Sequence, residues 1–262
     1  MKEQNTRRIV IGLVGIFLAT TAACQRTEHV KNETTPSPSS ATPQESPELL
    51  EYVEIVTGGA KETEPLPLIV AVHGLGDRPK HFKQLLEDLP ARARVILPRA
   101  PISWGMGFAW FRTRIASGDF HALSAGIARA AKQVAVLIGV LKKKRPTRGA
   151  PILCGFSQGG MVSFAVAVRH PEAIGLSIPI GGLLPRPLWP KEKKPGVSYP
   201  PIRALHGGAD DLVQPGPTSA AVKHLRGLDF DVTLTEYPGV PHTVSGSMRR
   251  DLFKLIDLFI KK

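Results

Sequence analysis

Cysteine is almost missing from this chain: Cys24 and Cys154 are the only two thiols in 262 residues. So few exclude a disulfide framework and a cysteine-rich metal cluster. The sequence has no His-Glu-x-x-His pair and no glycine-rich phosphate loop. No metal is therefore expected. Acidic residues are scarce as well, 22 against 34 basic ones, giving a formal charge of +12. Basic clusters such as Lys142-Lys143-Lys144-Arg145 and Lys191-Glu192-Lys193-Lys194 lack interleaved aromatics and any recognisable nucleic-acid module, so nucleic acid is not an expected partner. They read as solvated surface, with attraction to anionic lipid headgroups or acidic polysaccharide as the other reading. Long apolar runs are lacking too: Ile9 to Ala19 is too short for a comfortable membrane-spanning helix.

That short run has a different use. Lys2, Arg7 and Arg8 give a positive start, Ile9 to Ala19 an apolar core, and Thr21-Ala22-Ala23 a small-residue site before Cys24, so residues 1–24 read as a targeting segment outside the fold. Cysteine directly after the small residues resembles the lipobox of bacterial lipoproteins, which implies lipidation at Cys24 and an exported chain held at a membrane. An ordinary secretory cleavage after Ala23 is the alternative. Residues 25–48, rich in Ser, Thr, Pro, Glu and Gln, offer almost nothing to bury and read as a disordered tether. Cys154 lies in an apolar stretch and reads as core packing.

Residues 49–262 have the texture of one α/β domain. Tyr52, Val53, Ile55 and Val56 predict an opening strand, Leu66 to Val72 a buried one, Lys80 to Leu89 a helix and Arg94 to Leu97 a further strand. The longest helix is expected over Asp119 to Lys144, capped by Asp119, with Leu123, Ile127, Val134, Leu137 and Leu141 on its buried stripe. Strands at Ala173 to Ile180, Ile202 to Leu205 and Val232 to Tyr237 alternate with helices at Thr218 to Leu228 and Ser247 to Ile260, which implies a mostly parallel central sheet covered by helices on both faces. The proline-rich stretch Leu183 to Pro201 excludes regular structure. It reads equally as a lid over the site or as a surface excursion.

The chain is organised around Gly155-Phe156-Ser157-Gln158-Gly159, set between an apolar strand and a helix-like stretch through His170. A serine lifted onto a sharp strand-to-helix turn needs small residues two before and two after it. Its hydroxyl is a weak nucleophile near neutral pH, so it needs a histidine to take its proton and a carboxylate to orient that histidine. In sheet hydrolases the chain order is serine, acid, histidine. Asp210, after the strand ending at Leu205, and His242, after the strand ending at Tyr237, meet that order on the sheet edge that carries Ser157. Asp211 is the neighbouring competitor and is expected to face solvent or cap a turn. His73 and His206 read as structural. A developing oxyanion requires preorganised N–H donors, for which the backbone amides of Leu75 and Gln158 are the candidates.

His73-Gly74-Leu75-Gly76-Asp77, Gly155-Phe156-Ser157-Gln158-Gly159-Gly160, His206-Gly207-x-x-Asp210-x-Leu212-Val213 and His242, in that order, resemble the phospholipase/carboxylesterase family that includes acyl-protein thioesterases. The resemblance implies an α/β-hydrolase fold, a triad of Ser157, Asp210 and His242, oxyanion donors at Leu75 and Gln158, and esterase or thioesterase activity without cofactor. Pro98 to Phe111 is similar to the segment ending in Trp-Phe in those enzymes, with Arg112 where an acidic residue is common. The proline-rich segment and the lipoprotein-like start depart from the cytosolic members. Trp104, Met106, Phe108, Trp110 and Phe111 are expected to form one wall of an acyl pocket or to be core. The expected function is an exported serine hydrolase cleaving small-molecule or lipid carboxylic esters through an acyl-enzyme. A peptidase or polysaccharide deacetylase on the same fold, or a non-catalytic surface-binding lipoprotein, are the alternatives.

Overall fold

Strands of five or six residues, rich in aliphatic side chains, build the sheet. The computed structural model describes residues 49–262; the targeting segment, the tether and Cys24 lie outside the described residues. In chain order the elements are β1 (Tyr52–Val56), β2 (Leu68–Val72), α1 (Pro79–Phe82), β3 (Arg94–Pro98), β4 (Ile102–Trp104), β5 (Gly107–Ala109), α2 (Phe120–Lys144), β6 (Ile152–Phe156), α3 (Gln158–Arg169), β7 (Leu176–Ile180), β8 (Ile202–Gly207), α4 (Pro215–Gly227), β9 (Val232–Tyr237) and α5 (Gly246–Ile260). Seven strands form one sheet in the order β1-β3-β2-β6-β7-β8-β9, and β4 with β5 makes a separate hairpin. All pairings in the large sheet are parallel except that of β1 with β3, an antiparallel edge.

Period-two alternation sends successive strand residues to opposite faces. Leu68, Val70, Val72, Ile96 and Leu153 pack under α2, α3 and α4, whereas Ile69, Ala71, Val95, Leu97 and Cys154 pack under α1 and α5. Burial pushes the Cys154 thiol up to about 12, which makes it an inert core residue as expected. The helix α2 is long and apolar enough to cross a membrane by composition. Its stripe from Leu123 through Ile127, Val134 and Leu137 to Leu141 is instead buried against the sheet. Asp119 caps it by accepting from the Ala122 amide at 2.9 Å.

Two local expectations fail for identifiable reasons. The stretch Lys80 to Leu89 begins as the four-residue α1, tightens into a 3₁₀ turn at Lys83–Leu85 and then leaves helical geometry. Phe82, Leu86 and Leu89 are buried as a helical face would bury them, but the outward carbonyls of Gln84 and Leu85 accept from the Arg249 guanidinium of α5. That substitutes for the bonds a continued helix would make. The β4–β5 hairpin was not foreseen, because three-residue strands leave no period to read. Leu183 to Pro201 is irregular apart from a 3₁₀ turn at Arg186–Leu188. It buries Leu183, Leu184 and Leu188 in the core shared with α2 and α3; it is a cover that packs on α2 and α4, and none of its residues lines the cleft described below.

Leu137 is fully buried in the middle of α2. Leu137→Ala is expected to cost about 2–5 kcal/mol, measured as a lower urea midpoint at unchanged slope. A variant as stable as the parent would show that α2 does not hold this face of the sheet.

Candidate active site

The parallel strands all end on one edge of the sheet, and the segments leaving β2, β6, β8 and β9 there converge. Ser157 follows β6 directly and adopts φ 56° and ψ −116°, a left-handed conformation that a side chain with a Cβ rarely tolerates. Its amide donates to the Ile180 carbonyl at 2.9 Å, and its carbonyl accepts from Met161 at 3.0 Å. The turn is tight enough that a Cβ on Gly159 would overlap the Val72 carbonyl, and one on Gly155 would overlap the Gly159 carbonyl. Small residues at both positions are thus a steric requirement of the turn, as the sequence spacing implies.

The Ser157 hydroxyl donates to His242 Nε2 at 2.9 Å, and His242 Nδ1–H donates to Asp210 Oδ2 at 2.7 Å. Asp210 is buried. Its other oxygen, Oδ1, accepts from the amides of Leu212 and Val213 at 3.1 and 2.8 Å. Both carboxylate oxygens are therefore bound. A fixed anion at Nδ1 leaves Nε2 as the free base facing the hydroxyl, the tautomer in which imidazole can accept its proton. The Phe156 ring lies 4.7 Å from the His242 ring, shielding one side of the imidazole. Asp211, by contrast, is exposed at the mouth of the cleft.

The remaining histidines of the described residues take structural or surface positions. His73 is fully buried, donates from Nδ1 to Gly74 at 2.7 Å and accepts from the Ala100 amide at 3.2 Å; burial holds it below the usual imidazole range. His206 donates from Nε2 to the Val213 carbonyl at 2.7 Å, fastening the turn that carries Asp210. His81 pairs with Asp77, and His224 stacks on Trp189.

Beside Ser157 runs the loop after β2. A Cβ on Gly74 would touch the Ser157 Cβ at 3.4 Å, and the Leu75 and Gln158 amides donate to no backbone carbonyl outside a helix or strand, nor to any side chain, among the described residues. The loop is stapled to the hairpin by Gly76 donating to Phe108 at 2.8 Å and Phe108 donating back to Asp77 at 3.0 Å. A second staple leaves no sequence signal because it uses a side chain: the Gln158 carboxamide accepts from the Trp110 amide at 2.9 Å and donates to the Phe111 carbonyl at 3.0 Å.

The cleft over Ser157 encloses about 460 Å³. Of the five aromatic and methionine residues expected to wall it, Phe111 alone is in its lining. Trp110 is core, donating its indole N–H to the His73 carbonyl at 2.9 Å. Phe108 lies under the Arg99 guanidinium, Trp104 sits on the hairpin, and Met106 at its tip is 86% exposed. The hairpin turns these residues away, and the wall comes from the following loop, Thr113 to Ala116, together with Leu123, Met161 and Leu212. One sequence signal for that loop was available: a polar, aperiodic stretch between buried Phe111 and the capped start of α2. Among the described residues no group of three or more His, Cys, Asp or Glu side chains is placed to hold a metal.

Comparison with known proteins agrees with this edge-of-sheet arrangement. Residues 50–260 match the phospholipase/carboxylesterase family. A probable carboxylesterase of Oryza sativa subsp. japonica is 27% identical over 71% of this chain and 74% of its own length. An acyl-protein thioesterase 1 of Gibberella zeae is 28% identical over 67% of this chain and 83% of its own. The crystal structure of esterase PE8 superposes with a TM-score of 0.68, covering 80% of this chain and 99% of that one at 24% identity, a likeness of fold. With the family matched over nearly the whole described domain, the chain belongs to the phospholipase/carboxylesterase family of α/β-hydrolases and is a hydrolase of the carboxylesterase/thioesterase type.

Proposed function

We propose that the protein is an exported serine hydrolase that cleaves carboxylic esters or thioesters through an acyl-enzyme formed on Ser157. The observation that carries this reading is the unbroken hydrogen-bonded chain from the Ser157 hydroxyl through His242 to the doubly held Asp210. As Oγ attacks the substrate carbonyl, its proton passes to His242 Nε2, and the imidazolium is stabilised by Asp210. The carbonyl oxygen becomes an oxyanion between the Leu75 and Gln158 amides. Collapse of the intermediate breaks the ester C–O or thioester C–S bond, and His242 returns the proton to the departing alcohol or thiol. Water, activated by the same imidazole, then attacks the acyl-serine and releases the carboxylic acid. Leu75, Phe111, Ile115, Met161 and Val213 give the cleft an apolar lining suited to the acyl group, as in the ester and thioester hydrolases to which the chain is similar.

The start of the chain supports export: a positive stretch, a short apolar core and a cysteine after Ala22-Ala23. In this reading Cys24 becomes the first residue, carries diacylglycerol, and residues 25–48 tether the hydrolase to a membrane.

A fluorophosphonate probe is expected to label Ser157, and Ser157→Ala to lower turnover by about 10⁴-fold or more at unchanged melting temperature. Labelling of the native protein at another serine would sink the assignment. Between the adjacent carboxylates, Asp210→Asn is expected to cost roughly 10³- to 10⁴-fold and Asp211→Asn less than about tenfold. Hydrolysis of a soluble thioester and its matching ester by both variants checks this, and the reverse order would reassign the acid. Mass spectrometry of membrane-extracted protein should find the acyl chains on Cys24, and an unmodified Cys24 at the mature terminus would leave secretion without the anchor.

A further inference from the structure

The positive charge of this protein is gathered on one layer of the fold. Residues 112–228 hold 17 of the 34 basic residues but only five of the 22 acidic ones, an excess equal to the +12 of the whole chain. The rest of the sequence is balanced. Apart from β6, β7 and β8, of which β8 carries one basic residue, Arg203, these residues build α2, α3, α4, the cover Leu183 to Pro201 and their connecting loops, with the three helices and the cover on the same face of the sheet. Neither α2 nor α4 contains an acidic residue, and two of the five acids, Asp210 and Asp211, belong to the cleft.

Local pairing does not account for this charge. Among the described residues, ion pairs join Lys83 to Glu87, Arg92 to Glu64, Arg99 to Glu51, Arg249 to Asp88 and Lys261 to Asp257, all outside the layer. Within it, Arg145 and Arg203 are the basic residues in ion pairs, and their partners Glu54 and Asp231 lie outside residues 112–228. Lys132, Lys142, Lys143, Lys144, Lys191 and Lys223 are exposed with no carboxylate within pairing distance among the described residues. So many like charges on one face repel one another, and the face gains by meeting a surface of opposite sign.

The same layer shows apolar side chains to solvent. Phe120 is 44% exposed at the start of α2, Val136 36% on its outer face between Lys132 and Lys142, and Val197 39% in the cover segment. Lysines beside an exposed valine, as Lys132 and Lys142 stand beside Val136, suit a lipid headgroup region, where ammonium groups meet phosphates while apolar tips reach the acyl boundary. A soluble polyanion would neutralise the charge and leave the apolar residues unmatched. We propose that the α2–α4 layer is a docking surface for an anionic phospholipid bilayer, independent of any acyl group on Cys24. The loop Arg112 to Asp119 belongs both to this charged set and to the cleft wall, so docking would bring a lipid surface to the rim of the site.

The test uses the full chain carrying Cys24→Ser, which has no acyl thioether whether or not export occurs as proposed, so failure here is distinct from failure of the anchor reading. Sedimentation with vesicles of phosphatidylcholine alone, or with about 30% phosphatidylglycerol, is compared in about 0.1 M salt. At least about tenfold stronger binding to the anionic vesicles is expected, lost at high salt. Combined Lys142→Glu, Lys143→Glu and Lys144→Glu should weaken that binding about tenfold or more, as should Lys191→Glu, Lys194→Glu and Lys223→Glu, which spare the end of α2. The same charge change on the opposite face, Lys80→Glu, Arg250→Glu and Lys254→Glu, should leave it within about twofold. Hydrolysis of a soluble ester and the melting temperature verify that each variant is folded. Equal binding to both vesicle types, equal loss in all three variants, or retention by immobilised polygalacturonate without preference for anionic vesicles would overturn the proposal.

Discussion

A serine backbone held at φ 56° is a strained conformation, costing on the order of 1–3 kcal/mol, and it persists only where its surroundings leave no alternative. Here the surroundings are the two central parallel strands and the helix that springs from one of them. The Ser157 amide is taken by β7, its carbonyl starts α3, and the absence of a Cβ at Gly155 and Gly159 lets β2, β6 and α3 approach within backbone contact. Once that junction is set, the order of the strands decides the rest. The segments after β8 and β9 arrive on the same edge, and the imidazole and carboxylate they carry fall into line with the hydroxyl.

What could be read in the sequence was whatever had a period or a fixed chemical order. The buried strands, the stripe and cap of α2, and the succession of serine, acid and histidine past successive strand ends were all legible, because packing geometry and proton transfer each impose spacing. The hairpin was not, since three residues in a strand show no alternation. Nor was the break after α1, because the group that replaces its helix bonds, Arg249, comes from the far end of the chain. The aromatic run from Trp104 to Phe111 carried composition without direction. Only the path of the chain through the hairpin separates Phe111, in the cleft, from Trp110, beneath His73.

Two electrostatic regimes coexist in the domain. Around the hydroxyl, each charge is desolvated and met: Asp210 is saturated by an imidazole and two amides, and its geometry depends on contacts under 3.2 Å. On the α2–α4 layer the charges are exposed, numerous and, Arg145 and Arg203 apart, without an ion-pair partner among the described residues, and their effect is a field that decays with ionic strength. The first regime governs which bond is broken. In the proposed docking, the second decides which surface the molecule meets, and the two are joined physically by the short loop leading into α2.

The Gln158 carboxamide spans the gap between the head of α3 and the backbone at Trp110 and Phe111, so the end of the hairpin is fastened to the nucleophile turn by bonds that need the glutamine but not the side chains of the two residues it meets. Beyond Phe111, among the described residues, no side chain of another element hydrogen-bonds residues 112–118, and Thr113 to Ala116 form the outer wall of the cleft. The architecture therefore separates a reaction chamber tied together across several elements from an antechamber walled by a loop that is hydrogen-bonded only to itself: changing that loop would change which compounds are admitted, without renegotiating the chemistry behind them.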